Sequence, residues 1–203
     1  GQYATGGCNT FLGKTAGLNA SGATCNVFIG YQSGYLAWGS PEDNVGVGLK
    51  TLYCINGGDK NTALGARAGH CNVTGSCNVF LGECAGYLQS SGCGNTFLGS
   101  CAGNTNTSGC CNVAIGRDVE LPSATGNHQF AIGDGTNRWI TGDSNFALTL
   151  SGLTKEPAYV TTTPISSSYT FDLANGNVQF RNSSAPGGVA AAAGLTFGGS
   201  SVN

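Results

Sequence analysis

The chain has 203 residues, among them 35 glycines, with 9 % charged residues and a formal net charge of −2; ordinary domains carry about 7 % Gly and about 25 % charged residues. Gly costs roughly 1 kcal/mol per helical position relative to Ala, and so few charges cannot solvate outer helix faces, which excludes a helical bundle. The glycines lack collagen's three-residue period, 40 % hydrophobic residues argue against charge-driven disorder, and without a basic run no nucleic-acid partner is expected.

No stretch approaches the roughly 18 uninterrupted apolar residues of a membrane span, so no membrane insertion is expected. The chain opens Gly1-Gln2-Tyr3, contains no Met and shows no signal-peptide pattern. A fragment or processed product is expected, from which any address label could have been lost.

From the N-terminus a single pentapeptide recurs: Asn9-Thr-Phe-Leu-Gly13, Asn26-Val-Phe-Ile-Gly30, Asn44-Val-Gly-Val-Gly48, Asn61-Thr-Ala-Leu-Gly65, Asn78-Val-Phe-Leu-Gly82, Asn95-Thr-Phe-Leu-Gly99, Asn112-Val-Ala-Ile-Gly116 and Gln129-Phe-Ala-Ile-Gly133. Their first residues are 17, 18, 17, 17, 17, 17 and 17 positions apart. Further Gly columns divide each unit into short extended pieces joined by bends, a three-sided coil. A unit of this length buries no core alone, but stacked copies pair every strand with its neighbours at about 4.8 Å. The expected fold is an all-β parallel β-solenoid of eight coils over residues 1–133, with like residues stacked on like. Asn9, Asn26, Asn44, Asn61, Asn78, Asn95 and Asn112 then form either an amide ladder along the stack or a set of turn starters bonded to their own backbone.

Both faces of the pentapeptide are apolar. Val27, Val79 and Val113 with Ile29, Leu81 and Ile115 share one face, and Phe11, Phe28, Phe80 and Phe97 share the other with Gly46, Ala63, Ala114 and Ala131. One face makes the solenoid core. The other is expected to expose the phenylalanine stripe and to be covered by self-association, unless the bends turn Phe inward and leave a Thr/Val column outside.

The extra residue of the 18-residue spacing falls within Tyr35–Asp43. Such an interruption is where a rigid scaffold carries specificity, and Tyr35 and Trp38 are candidate receptor contacts through stacking on sugar rings; Trp38 instead covering a corner is the competing reading. Four cysteine pairs sit one period apart: Cys8 and Cys25, Cys54 and Cys71, Cys84 and Cys101, Cys93 and Cys110. Neighbours at about 4.8 Å fall within the Cα range of disulfides, so these pairs are candidate rungs, with buried free thiols the alternative. Cys77 and Cys111 lie two periods apart, too far to join within one chain, and are expected to be free or linked between chains. No spacing fits a zinc site, His70 and His128 read as surface or capping residues, and no cofactor is expected.

Beyond Gly133 the period fails. Residues 134–156, with Arg138 and Trp139, are expected to cap the last coil. Residues 157–203 read as a separate β module: a linker with Pro157 and Pro164, a hairpin of Tyr169–Leu173 and Asn177–Arg181 around Asn175-Gly176, and a small-residue tail, Gly187–Phe197.

The repeat over residues 1–154, typified by Thr74–Gly116, resembles the Gly/Asn/Cys-rich repeats of tail fibres from phages infecting marine cyanobacteria. Its Asn-Val-Ala-Ile-Gly core is also similar to the head repeats of trimeric autotransporter adhesins. Ala131–Asp143 is similar to stretches that precede the C-terminal domain of many phage fibres. The resemblance implies a homotrimeric, non-enzymatic appendage in a virion tail fibre or at a cell surface, holding or forming a tip that contacts a host glycan or protein receptor. A polysaccharide-cleaving spike competes with it and needs paired carboxylates within about 10 Å; an ice-binding solenoid fits poorly, because Val interrupts the Thr column.

Overall fold

The computed structural model describes residues 3–151 apart from Phe146. The chain divides after Thr154 into two units. The first contains every described residue, and the linker, hairpin and tail expected within 157–203 lie outside them.

The described residues form an all-β solenoid of about seven turns. Strands β1 (Thr10–Leu12), β2 (Val27–Ile29), β3 (Val45–Val47), β4 (Thr62–Leu64), β5 (Val79–Leu81), β6 (Thr96–Leu98), β7 (Val113–Ile115) and β8 (Phe130–Asp134) pair in parallel, each with the next. The register places like positions together: Thr10, Val27, Val45, Thr62, Val79, Thr96, Val113 and Phe130 follow one another across the sheet. The 18-residue step is absorbed where Trp38–Pro41 passes the neighbouring coil. Ala20, Ala37 and Ile55 occupy equivalent buried places, and Trp38 bridges Asn56 while Thr24 bridges Glu42.

Strands β1–β7 stay short because each ends on a glycine no other residue replaces cheaply. At Gly65 φ is +126°, and a Cβ there would stand 2.7 Å from the Gly82 carbonyl of the next coil. The position before each anchor is also left-handed, with φ between 55° and 68°, yet holds Cys8, Cys25, Asp43, Lys60, Cys77, Gly94, Cys111 and His128. A non-Gly residue costs roughly 1–2 kcal/mol there, so the stack, not local preference, imposes the turn.

The phenylalanine column faces inward, which corrects the expected outward stripe. Phe28, Phe80 and Phe97 are fully buried, and Phe11, in the first coil, is half-buried against them. Phe11 stacks on Phe28 at 5.6 Å and Phe80 meets Phe97 at 5.8 Å between ring centres. The bends decide this: each Phe ring lies against the left-handed Gly that follows it in its own coil, Phe97 against Gly103 for instance, so the ring closes the coil interior. In the middle coils, where Gly46 and Ala63 replace Phe, the buried side chains of Leu52 and Ile55 fill the core. Its opposite wall is partly polar. Asn72, Gln89 and Asn106 are buried on successive coils, and Asn106 Nδ2 donates to Gln89 Oε1.

After β8 the chain reverses at Gly135. Strand β9 (Asn137–Gly142) pairs antiparallel with β8, and β10 (Leu148–Leu150) with β9. The last coil therefore ends by extending its sheet. Trp139 is exposed, and Arg138 donates to the Glu120 carbonyl at 3.3 Å.

Candidate functional site

Inside one edge of the sheet the anchor amides form a continuous column. Asn26 N and Nδ2 both donate to Asn9 Oδ1, at 2.9 and 3.1 Å. The pattern repeats from Asn44 to Asn26, Asn61 to Asn44, Asn78 to Asn61 and Asn95 to Asn78; from Asn112 to Asn95 the backbone bond continues it at 3.0 Å. Each Nδ2 also donates to a carbonyl of the next coil, as Asn78 does to Gly92 at 2.9 Å. Gln129 ends the column: its longer amide exchanges bonds with Ser123, at 2.8 and 2.9 Å. The amides are thus occupied by each other and by backbone, and serve to clamp one coil to the next.

With the Phe column of β1, β2, β5 and β6 inside, the outer face of β1–β8 carries a Thr/Val column that ends in Phe130 and a Leu/Ile/Val column. Neither contains a charged residue over eight rungs. Leu12 is 65 % exposed, Leu98 44 % and Leu64 38 %, so a flat apolar strip faces solvent.

A third column is aromatic. Tyr35, Tyr53, His70 and Tyr87 stack face to face, with ring centres 5.1, 5.0 and 5.0 Å apart, and the Lys50 ammonium lies 5.7 Å from the Tyr53 ring centre. His70 is a member of this stack, not a capping residue. Burial, reinforced by Lys50 and Arg67, lowers its pKa, while burial first and the neighbouring Tyr35 second raise that of Tyr53. Of the candidate receptor contacts, Tyr35 is half-buried in the column and Trp38 is 52 % exposed at the insertion. The structure does not bring the two together as a stacked pair; Tyr35 is paired with Tyr53 instead. The signal for this column was present as Tyr, Tyr, His and Tyr at one period, hidden by His70. No protein-family model, curated protein or solved structure matches this chain.

All ten cysteines are free thiols. Cys8 lies beside Cys25 and Cys54 beside Cys71 on adjacent rungs, close enough that one thiol affects the titration of the other; Cys93 N donates to Cys110 Sγ at 3.1 Å, and Cys84 and Cys101 border one groove. Burial pushes the Cys54, Cys71 and Cys84 thiols up, and desolvation together with Cys8 raises Cys25. Cys77 and Cys111 are separated by the rung of Gly94. His70 Nδ1 lies 3.4 Å from Cys71 Sγ, yet among the described residues no group of three or more His, Cys, Asp or Glu side chains could hold a metal ion. Two acidic residues do meet on adjacent rungs: Glu42 N donates to Asp59 Oδ1 at 2.8 Å. Glu42 is exposed there and Asp59 half-exposed. Among the described residues no helix is long and apolar enough to cross a membrane.

Proposed function

We propose that this chain is a non-enzymatic structural segment of an extracellular fibre, of the phage tail-fibre type, that self-associates as a homotrimer and supports or forms a tip contacting a host surface glycan or protein. A bacterial surface trimeric adhesin is the neighbouring alternative. The observation that carries the reading is the pair of uncharged outer columns running across β1–β8, with Leu12, Leu64 and Leu98 exposed on them. Monomeric proteins rarely leave contiguous apolar strips of this kind uncovered, and a closed symmetric assembly covers the same strip on every copy. The self-association first expected of the Phe column is thereby moved to the aliphatic columns. In an oxidising compartment the four stacked thiol pairs become disulfide rungs, each passing two electrons to a disulfide oxidant and releasing two protons.

Sedimentation equilibrium on the full chain tests this. The wild type is expected to be trimeric at micromolar concentration. The double substitution Leu64→Lys, Leu98→Lys is expected to be monomeric with an unchanged far-UV circular dichroism spectrum, because both positions face solvent in the single chain. A wild type that stays monomeric at 100-fold higher concentration overturns the proposal.

A further inference from the structure

The aromatic column stops at an open step. One period beyond Tyr87 the column carries Asn104, whose backbone carbonyl accepts from Leu88 N at 3.1 Å. The coil continues, then, but the ring does not. His70 covers one face of Tyr87, and the other side opens on a groove of about 340 Å³ lined by Arg67, Cys84, Tyr87, Leu88, Cys101 and Asn104, a volume near the lower end of small-ligand sites.

The lining defines an occupant. Tyr87 offers a flat platform and Leu88 an exposed apolar wall. Arg67 is the only charged residue of the lining. Its side chain is 46 % exposed, Glu83 stands 4.0 Å away and the Cys84 thiol lies beside it; with five N–H donors, the guanidinium keeps donors for a carboxylate. The Asn104 side-chain amide makes no hydrogen bond among the described residues. The step is one rung high, about 4.8 Å, which is room for one ring, planar or chair, to lie on Tyr87 as His70 does on its other face at 5.0 Å. The groove is also open, so a ligand with one apolar face and one hydroxylated face satisfies both its surroundings, whereas a flat aromatic molecule leaves a second face in water.

We propose that this step binds a carboxylated pyranose, a uronic-acid unit of an acidic polysaccharide. Its C–H face continues the stack on Tyr87, its carboxylate pairs with Arg67, and a ring hydroxyl meets the Asn104 amide. The inference rests on the attachment reading above, and places the receptor contact at the end of the ring column, away from Trp38.

Isothermal titration of the full chain with trigalacturonate, trimannuronate and the methyl ester of the binding trimer tests it. At least one acid is expected to bind, with its uncharged ester at least tenfold weaker. Arg67→Gln is expected to lower acid binding to the ester's level and leave the ester unchanged; Gln is accepted in this left-handed column, as Gln32 shows. Asn104→Tyr supplies the missing ring, fills the step and is expected to abolish binding while keeping the parent's melting temperature. No heat with either acid, equal affinity for acid and ester, or undiminished binding by Asn104→Tyr overturns the proposal. Sedimentation of the same samples separates the two readings: trimers that bind no uronate sink this inference alone, and monomers that bind it sink the fibre assembly alone.

Discussion

Replacing Asn78 by Ala removes the middle of the amide column. In the native chain Asn78 Nδ2 donates to Asn61 Oδ1 and to the Gly92 carbonyl, and Oδ1 accepts from Asn95 N and Nδ2, all within 2.9–3.1 Å. Asn61 Oδ1 keeps the backbone N–H of residue 78, and Asn95 Nδ2 keeps the Gly109 carbonyl at 2.8 Å. Two buried backbone groups, the Gly92 carbonyl and the Asn95 N–H, are left without a partner. At about 1–3 kcal/mol each the loss is about 2–6 kcal/mol, a large part of the roughly 5–15 kcal/mol that holds a typical domain folded. Urea unfolding followed by circular dichroism measures it. Asn9→Ala is the control: it sits on the half-buried first rung, where water replaces the lost partners, and is expected to cost about 1 kcal/mol or less. Asn78→Asp adds a sign. It sets a carboxylate oxygen against the Gly92 carbonyl and Asn61 Oδ1, which raises its folded pKa above the roughly 3.9 of an unfolded Asp. Its stability is then retained below that unfolded value and lost as pH rises through the folded one. An Asn78→Ala loss no larger than that of Asn9→Ala, or an Asn78→Asp variant more stable at pH 7 than at pH 4, refutes the reasoning.

Gly103→Ala places a Cβ 2.8 Å from the Phe97 ring at φ +57°, and is expected to cost more than about 2 kcal/mol, since the left-handed backbone alone costs roughly 1–2; a melting temperature within a degree of the parent contradicts it. Because the folded pKa of His70 is lowered, its neutral ring contributes stability that is complete above about pH 6.5 and is lost as pH falls through the folded value. His70→Tyr, which makes the column all tyrosine, is expected to flatten the melting temperature between pH 7 and 5. Chain recovered from an oxidising compartment and alkylated without reductant is expected to take up label at Cys77 and Cys111 alone, and at every cysteine after reduction; mass spectrometry of the peptides finds label at Cys54 or Cys71 before reduction if the rungs are absent. The adjacency of Glu42 and Asp59 means that the paired-carboxylate criterion alone does not dispose of a cleaving spike. Incubation with acidic and neutral polysaccharides is expected to leave their chain length unchanged, and cleavage lost in Glu42→Gln or Asp59→Asn reverses that expectation.

The period was legible because it needs only counting: anchors 17 or 18 residues apart have no other economical way to bury Val, Ile and Phe than stacking, and in-register pairing follows from identity of rungs. The four thiol pairs were legible for the same reason. The direction of the two apolar faces was not. A three-residue strand alternates its side chains without saying which face closes the coil, and only the bends after Gly82, Gly99 and their equivalents, which fold each Phe-bearing coil back over its ring, made the aliphatic face the outer one. Nor was the aromatic column legible as a stack. Tyr35, Tyr53, His70 and Tyr87 share a register across the 18-residue step, but whether the extra residue fell before or after them depended on where the backbone bulged, at Trp38–Pro41. Left-handed φ at Cys8, Lys60 and Arg67 marks the same division. Residue identity determined the repeat and what stacks on what; the closed coil, by forcing every rung through one backbone path, decided which side chains meet water.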